Sequence, residues 1–164
     1  MKAVLRNYIR LVDVINKFMG YFLIISFAMS TLILFWQVFS RFIFGSSLSW
    51  AEELSRFLII FMVLIGSSLA LRSNELISVE MFLERVKGNL RKTVIIVIHS
   101  ISIILFIILI KYGYSMALNF SNQHAPSLKI SMEYIYLSLP LGGVLLLINS
   151  IACIIEEIIG KEEK

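Results

Sequence analysis

The densest run of side chains able to do chemistry falls between positions 41 and 56, where Arg41, Trp50, Glu52, Glu53 and Arg56 occur with Ser46, Ser47, Ser49 and Ser55. Ser49 followed three residues later by Glu52 has the spacing of a capping box, so a helix is expected to start near Trp50. Glu52 and Arg56 are four apart in acid-first order, which places them on one helix face and lets them pair. The same charges also suit interfacial anchors beside an aromatic belt residue, or contacts to a partner chain. Catalysis is not indicated. The chain has no Walker motif, no His-Glu-x-x-His pair and no Ser-His-Asp set, so no catalytic residue, cofactor or metal site is expected. His99 and His124 are its two histidines, and His124 stands beside Pro126 in a polar stretch, so paired haem ligation at matching depth is not expected. The lone Cys153 cannot form an internal disulfide and reads as a small buried hydrophobe.

The elements that must position these groups are apolar. Of 164 residues, 59% are hydrophobic and 16% charged, whereas soluble domains carry about 25% charged residues. Four strongly apolar stretches contain no Asp, Glu, Lys or Arg: 18–39, 57–71, 93–110 and 134–155. A bilayer core about 30 Å thick needs roughly 17–25 apolar residues per helix. The fold class is therefore an all-α integral membrane protein with four transmembrane helices, at about 18–39, 54–71, 93–112 and 134–155. Together these make a single membrane domain over 1–164. The first block is too long for a signal-peptide core and is expected to be a retained span. Connections of this length leave no room for a soluble enzyme or a nucleic-acid-binding domain, and the basic balance of +4 is read as membrane orientation and lipid contact.

Orientation follows from the 15 Lys and Arg. The N-terminal segment, the central loop and the C-terminal tail hold eleven, and the other two loops hold four, so the positive-inside bias puts both termini in the cytoplasm. Residues 4–17 and 76–88 each alternate apolar and charged positions at helical spacing. They are expected as short amphipathic helices at the headgroups, although the first also suits a charged lead-in to span one. No Asp, Glu, Lys or Arg stands in the middle of a span, as a carrier usually requires. Span polarity comes from Ser, Thr, Asn, Gln and His99, which hydrogen-bond between helices. For His99 the candidate partners are Ser100, Ser102 and Asn149. Pro140 and the Gly142–Gly143 pair are expected to give a kink and a close helix approach near the outer end of span four.

Three stretches in order resemble one family. Arg41, Phe42 and Phe44, then Trp50-x-Glu52-Glu53 and Arg56, form the first. Gly66 to Ala70, Arg72 and Ile77-Ser78-Val79-Glu80 form the second, with Glu80 where relatives often have Asp. Ser127-Leu128-Lys129-Ile130, Tyr134 and Leu139-Pro140-Leu141-Gly142 form the third, with Glu133 and Tyr134 where many relatives have Trp. From about Val12 to Glu157 the chain resembles the small membrane subunit of tripartite ATP-independent periplasmic (TRAP) transporters, the DctQ-like family. The resemblance implies a non-carrier subunit in the bacterial cytoplasmic membrane. Its partners would be a large multi-span subunit of elevator type, an extracytoplasmic solute-binding protein and membrane lipid. The work would be sodium-coupled uptake of an organic anion such as a dicarboxylate or sialic acid. Arg41, Trp50, Glu52, Glu53, Arg56, Glu80, Pro140 and Gly142 are then candidates for structural or partner-interface roles. The alternative is a stand-alone four-helix carrier or channel.

Overall fold

The computed structural model describes residues 2–45, 48–73 and 89–159, with side chains for 5–45, 48–73 and 93–157. Helix α1 spans Lys2–Phe44, α2 Ser49–Arg72, α3 Asn89–Asn119, α4 Met132–Tyr136 and α5 Ser138–Ile159. Four stretches are long and apolar enough to cross a membrane: Leu5–Phe44, Ser49–Arg72, Thr93–Asn119 and Met132–Glu157. The chain is thus an all-helical, multi-pass membrane protein. The expected helix at 76–88, with Glu80 on it, lies outside the described residues.

Two elements differ from the sequence expectation. Residues 4–17 are no separate helix but continue into the first span as the 43-residue α1, because no Gly or Pro interrupts the run until Gly20, and Gly20 packs against Leu69 without breaking the helix. At 1.5 Å per residue α1 is about 64 Å long, twice the hydrocarbon thickness. Gly45, at φ +65, then ends it in the left-handed conformation that glycine adopts without a Cβ penalty. The third span also runs past Lys111 to Asn119, with Lys111 carried on an unbroken helix.

Helix neighbours follow from close contacts between small and large residues. A Cβ added to Gly142 would stand 2.6 Å from Leu64 Cβ, one on Gly143 2.8 Å from Ile110 Cγ1, and one on Gly113 2.7 Å from Leu139 Cβ. Only glycine lets α5 come this near to α2 and α3. Leu71, Phe106 and Leu146 form the buried cluster between those three helices, flanked by Leu109 and Leu147. The lateral order is α1, α2, α5, α3. Half of the α5 membrane window is buried, against 11% for α1 and for α3, so α5 is the hub and the outer helices present apolar side chains to their surroundings. The pairs Leu64 with Gly142, and Arg72 with Glu156, show α2 and α5 parallel. The pairs Ile110 with Gly143, and His99 with Ser150, show α3 antiparallel to α5. The first residues of α1 and α3 and the last of α2 and α5 therefore share one end of the bundle, the termini end. The α1–α2 turn and the 120–131 loop share the other, the loop end.

Candidate functional site

At the loop end, α2 begins without the expected cap. Ser49 is its first helical residue, Leu48 occupies the N-cap position, and no side chain caps it. Backbone bonds from Ala51 N–H (3.0 Å) and Glu52 N–H (3.4 Å) to Leu48 O close the first turn, which leaves the Glu52 carboxylate for Arg56. Those two side chains pair across one helical turn, the guanidinium 73% and the carboxylate 50% exposed. Such a pair contributes little to folding.

Glu53 turns the other way. Its Oε2 accepts the backbone N–H of Ser127 at 3.0 Å and of Leu128 at 2.9 Å. Two successive N–H groups aimed at one oxygen make a small anion-binding nest, here filled by the chain's own carboxylate. The loop is shaped for it by local bonds. Ala125 N–H donates to Ile130 O and Lys129 N–H to Ala125 O, both at 2.9 Å, while Met132 N–H donates to Gln123 O at 2.8 Å. Lys129 takes φ 55 to complete the turn, a conformation that costs a non-glycine residue about 1–2 kcal/mol. Ser131 closes the loop twice, donating to Ser121 O at 2.9 Å and capping α4 through Glu133 N–H. Phe120 and Tyr136 meet at a tilt with ring centres 4.7 Å apart, and Ala125 is buried at 1% exposure. An open pocket of about 270 Å³ results, lined by Ser49, Glu52, Glu53, Arg56, Phe57, Ser127 and Met132.

Of the other candidates, Trp50 is 43% exposed on the first turn of α2. Arg41 is exposed on the last turn of α1 and makes no hydrogen bond or ion pair with a described residue. Pro140 lies in the first turn of α5, and the helix breaks at Leu137, beside the carbonyl of Tyr136 that its ring would meet four residues back. The expected kink is thus the α4–α5 junction. Gly142 fills the close-approach role against Leu64.

The termini end holds residues that the sequence did not single out as a group. Arg72 donates Nη1–H to Glu156 Oε2 at 2.6 Å and Nε–H to Asp13 Oδ1 at 3.0 Å, joining α2, α5 and α1. Two turns into the bundle, Asn149 exchanges amide bonds with Asn16 at 2.7 and 3.0 Å and donates to Ser68 Oγ at 2.7 Å. The next residue, Ser150, meets His99 Nδ1 at 2.9 Å. The histidine therefore bonds across to α5, as expected in kind, but to a residue outside the three candidates. Neighbouring Asn149 and Ser150 stand about 100° apart on α5, one bonding α1 and α2 and the other α3, and tie all four long helices in one layer. Opposite charges within two turns of the span ends, at Asp13, Arg72 and Glu156, are the available sequence signal for the ion cluster. Among the described residues no three His, Cys, Asp or Glu converge as a metal site, and no nucleophile meets a base in the open pocket.

Comparison with known proteins points in one direction. Residues 30–160 match the family model described as tripartite ATP-independent periplasmic transporters, DctQ component. The chain is similar to the sialic acid TRAP transporter small permease protein of Vibrio cholerae, 24% identical over 119 residues, 73% of this chain and 69% of that protein. It is also similar to a putative TRAP transporter small permease protein of Haemophilus influenzae, 23% identical over 138 residues, 84% of this chain and 83% of that one.

Proposed function

Because the chain belongs to the DctQ component family of tripartite ATP-independent periplasmic transporters, and is thus a small membrane subunit of such a transporter, we propose that it is a non-carrier scaffold. It flanks the large elevator-type subunit and helps present a docking face for the solute-binding protein during sodium-coupled uptake of an organic anion. In this reading both termini are cytoplasmic, as the distribution of basic residues favours, and the loop end faces outward.

The observation that carries the reading is the Glu53 bond to the Ser127 and Leu128 backbone. It joins two of the family-like stretches into one surface at the loop end, with the Glu52–Arg56 pair displayed beside it. The polar groups inside the spans support the same reading. Asn16, Ser68, His99, Asn149 and Ser150 are all engaged in bonds between helices, which suits a subunit that stays still while another moves. The organic anion is a carboxylate such as a dicarboxylate or a sialic acid, the second being named for the Vibrio cholerae relative.

A tagged chain drawn from native membranes in mild detergent tests this. Recovery of a large multi-span protein, and sodium-dependent organic-anion uptake only when both are reconstituted with the binding protein, is the expected result. Flux through vesicles holding this chain alone would overturn it in favour of a stand-alone carrier.

A further inference from the structure

The cavity at the loop end holds more hydrogen-bond acceptors than the chain uses. Glu53 gives only Oε2 to the Ser127 and Leu128 N–H groups, and its Oε1 has no partner among the described residues. Glu52 gives Oε1 to Arg56, and its other oxygen bonds no described residue. The hydroxyls of Ser49 and Ser127 bond none either. All four side chains line the same cavity, which Phe57 and Met132 complete with apolar surface.

Charge in this cavity does not balance. Two carboxylates, Glu52 and Glu53, stand with one cation, Arg56. Arg41 and Lys129, the next cations at this end, make no ion pair with a described residue and lie outside the lining. Ser46 and Ser47 in the α1–α2 turn add no charge, and the charged segments 74–88 and 160–164 leave their helices at the termini end.

These features select the occupant. An entering anion would meet two carboxylates, so the transported organic anion is a poor fit. A bare metal ion would gain nothing from Phe57 and Met132. A lysine or arginine side chain satisfies both halves, because its alkyl stem covers apolar surface while its head donates to the unused acceptors. The volume of about 270 Å³ is also below the roughly 300–1,000 Å³ of sites that enclose a small molecule, and it suits one side chain standing out from a protein surface.

We propose that this cavity receives a lysine or arginine side chain of the solute-binding protein. Glu53 then serves two partners, with Oε2 holding the loop and Oε1 meeting the incoming cation. The inference rests on the outward-facing, docking loop end of the proposed function. Charge of this kind at an interface sets association rate and salt dependence.

The test is binding of the solute-binding protein to the intact membrane complex in lipid nanodiscs, read as Kd at low and high salt. Wild-type affinity should fall as salt rises. Glu53→Gln separates the two duties. Its amide oxygen can accept both loop N–H groups, so protease protection of the 121–131 loop should persist, whereas its NH2 group turns donors toward the cavity and affinity should fall several-fold. Glu52→Gln touches no loop bond and should weaken binding in the same sense. Glu157→Gln, the same charge change at the termini end, should leave Kd unchanged. When each Lys and Arg of the binding protein is replaced singly by alanine, one replacement should weaken the wild type several-fold yet add little to Glu53→Gln. Wild-type affinity in both Glu53→Gln and Glu52→Gln, an equal loss in Glu157→Gln, or additive losses at every position would overturn the cavity's role and leave the docking reading standing. No binding to the wild-type complex would overturn the docking reading and this proposal with it.

Discussion

The two ends of the bundle hold charge in opposite ways. At the termini end a guanidinium only 14% exposed is gripped by carboxylates from two other helices, and Asn149 repeats the pattern with neutral groups two turns further in. Each bond there joins one helix to another, so the end acts as a lock on their register. At the loop end Glu53 spends its carboxylate on the backbone of a loop, and the Glu52–Arg56 pair stays on a single helix, largely in the open. Bonds of this second kind fix the shape of a surface without fixing the helices, and they leave the Glu52–Arg56 charges exposed, as the proposed docking face requires. In the proposed function, one end builds the scaffold and the other carries what the scaffold presents.

Breaking the lock should have the largest effect. Arg72→Ala removes the cation that Asp13 and Glu156 share, and about 2–3 kcal/mol of stability should be lost, read as a fall in melting temperature of the purified chain in detergent. Arg72→Lys should recover part of it, since an ammonium cannot repeat the forked contact. A wild-type melt for Arg72→Ala would remove the contrast between the ends. Gly142→Ala should cost about 1–3 kcal/mol through overpacking, because the new methyl lands 2.6 Å from Leu64 Cβ; the same melt reads it.

The loop end should answer in function more than in stability. Glu53→Ala should lower the melt by about 1 kcal/mol or less while protease nicks the 121–131 loop faster and reconstituted uptake falls several-fold. Glu53→Gln sharpens the point, since its amide oxygen can accept the same two N–H groups and should restore most of the protection. Normal uptake in Glu53→Ala would separate the loop from docking. Smallest of all, Glu52→Gln should change the melt by less than about 0.5 kcal/mol, as an exposed pair on one helix predicts.

Much of this was legible in the residues. Charge-free blocks of fixed length force four spans because a bilayer core admits no unpaired charge and no unbonded backbone. The Trp50 to Arg56 stretch was visible as a cluster, but its division of labour was not. Adjacent carboxylates Glu52 and Glu53 look alike in sequence, and only their 100° separation on α2 sends one to Arg56 and the other to a loop more than seventy residues away. Ser49 looked like a cap by spacing, yet backbone geometry gave that position to Leu48. The α1 course was missed because a charged segment followed by an apolar one reads as two elements, whereas a helix ignores that change in polarity when no residue breaks it.

By itself the sequence determined the class of molecule, the number and order of its spans and the end of the bundle on which its charges gather, since each of these depends on composition along the chain. Tertiary structure alone decided which helices touch, that α5 is the hub, that His99 meets Ser150 and Asn149 meets Asn16 and Ser68, and that Arg72 closes the termini end. These partners are 51 to 133 residues apart. Their pairing is set by which faces of the helices come together when glycines allow close approach, and local sequence carries no direct record of that choice.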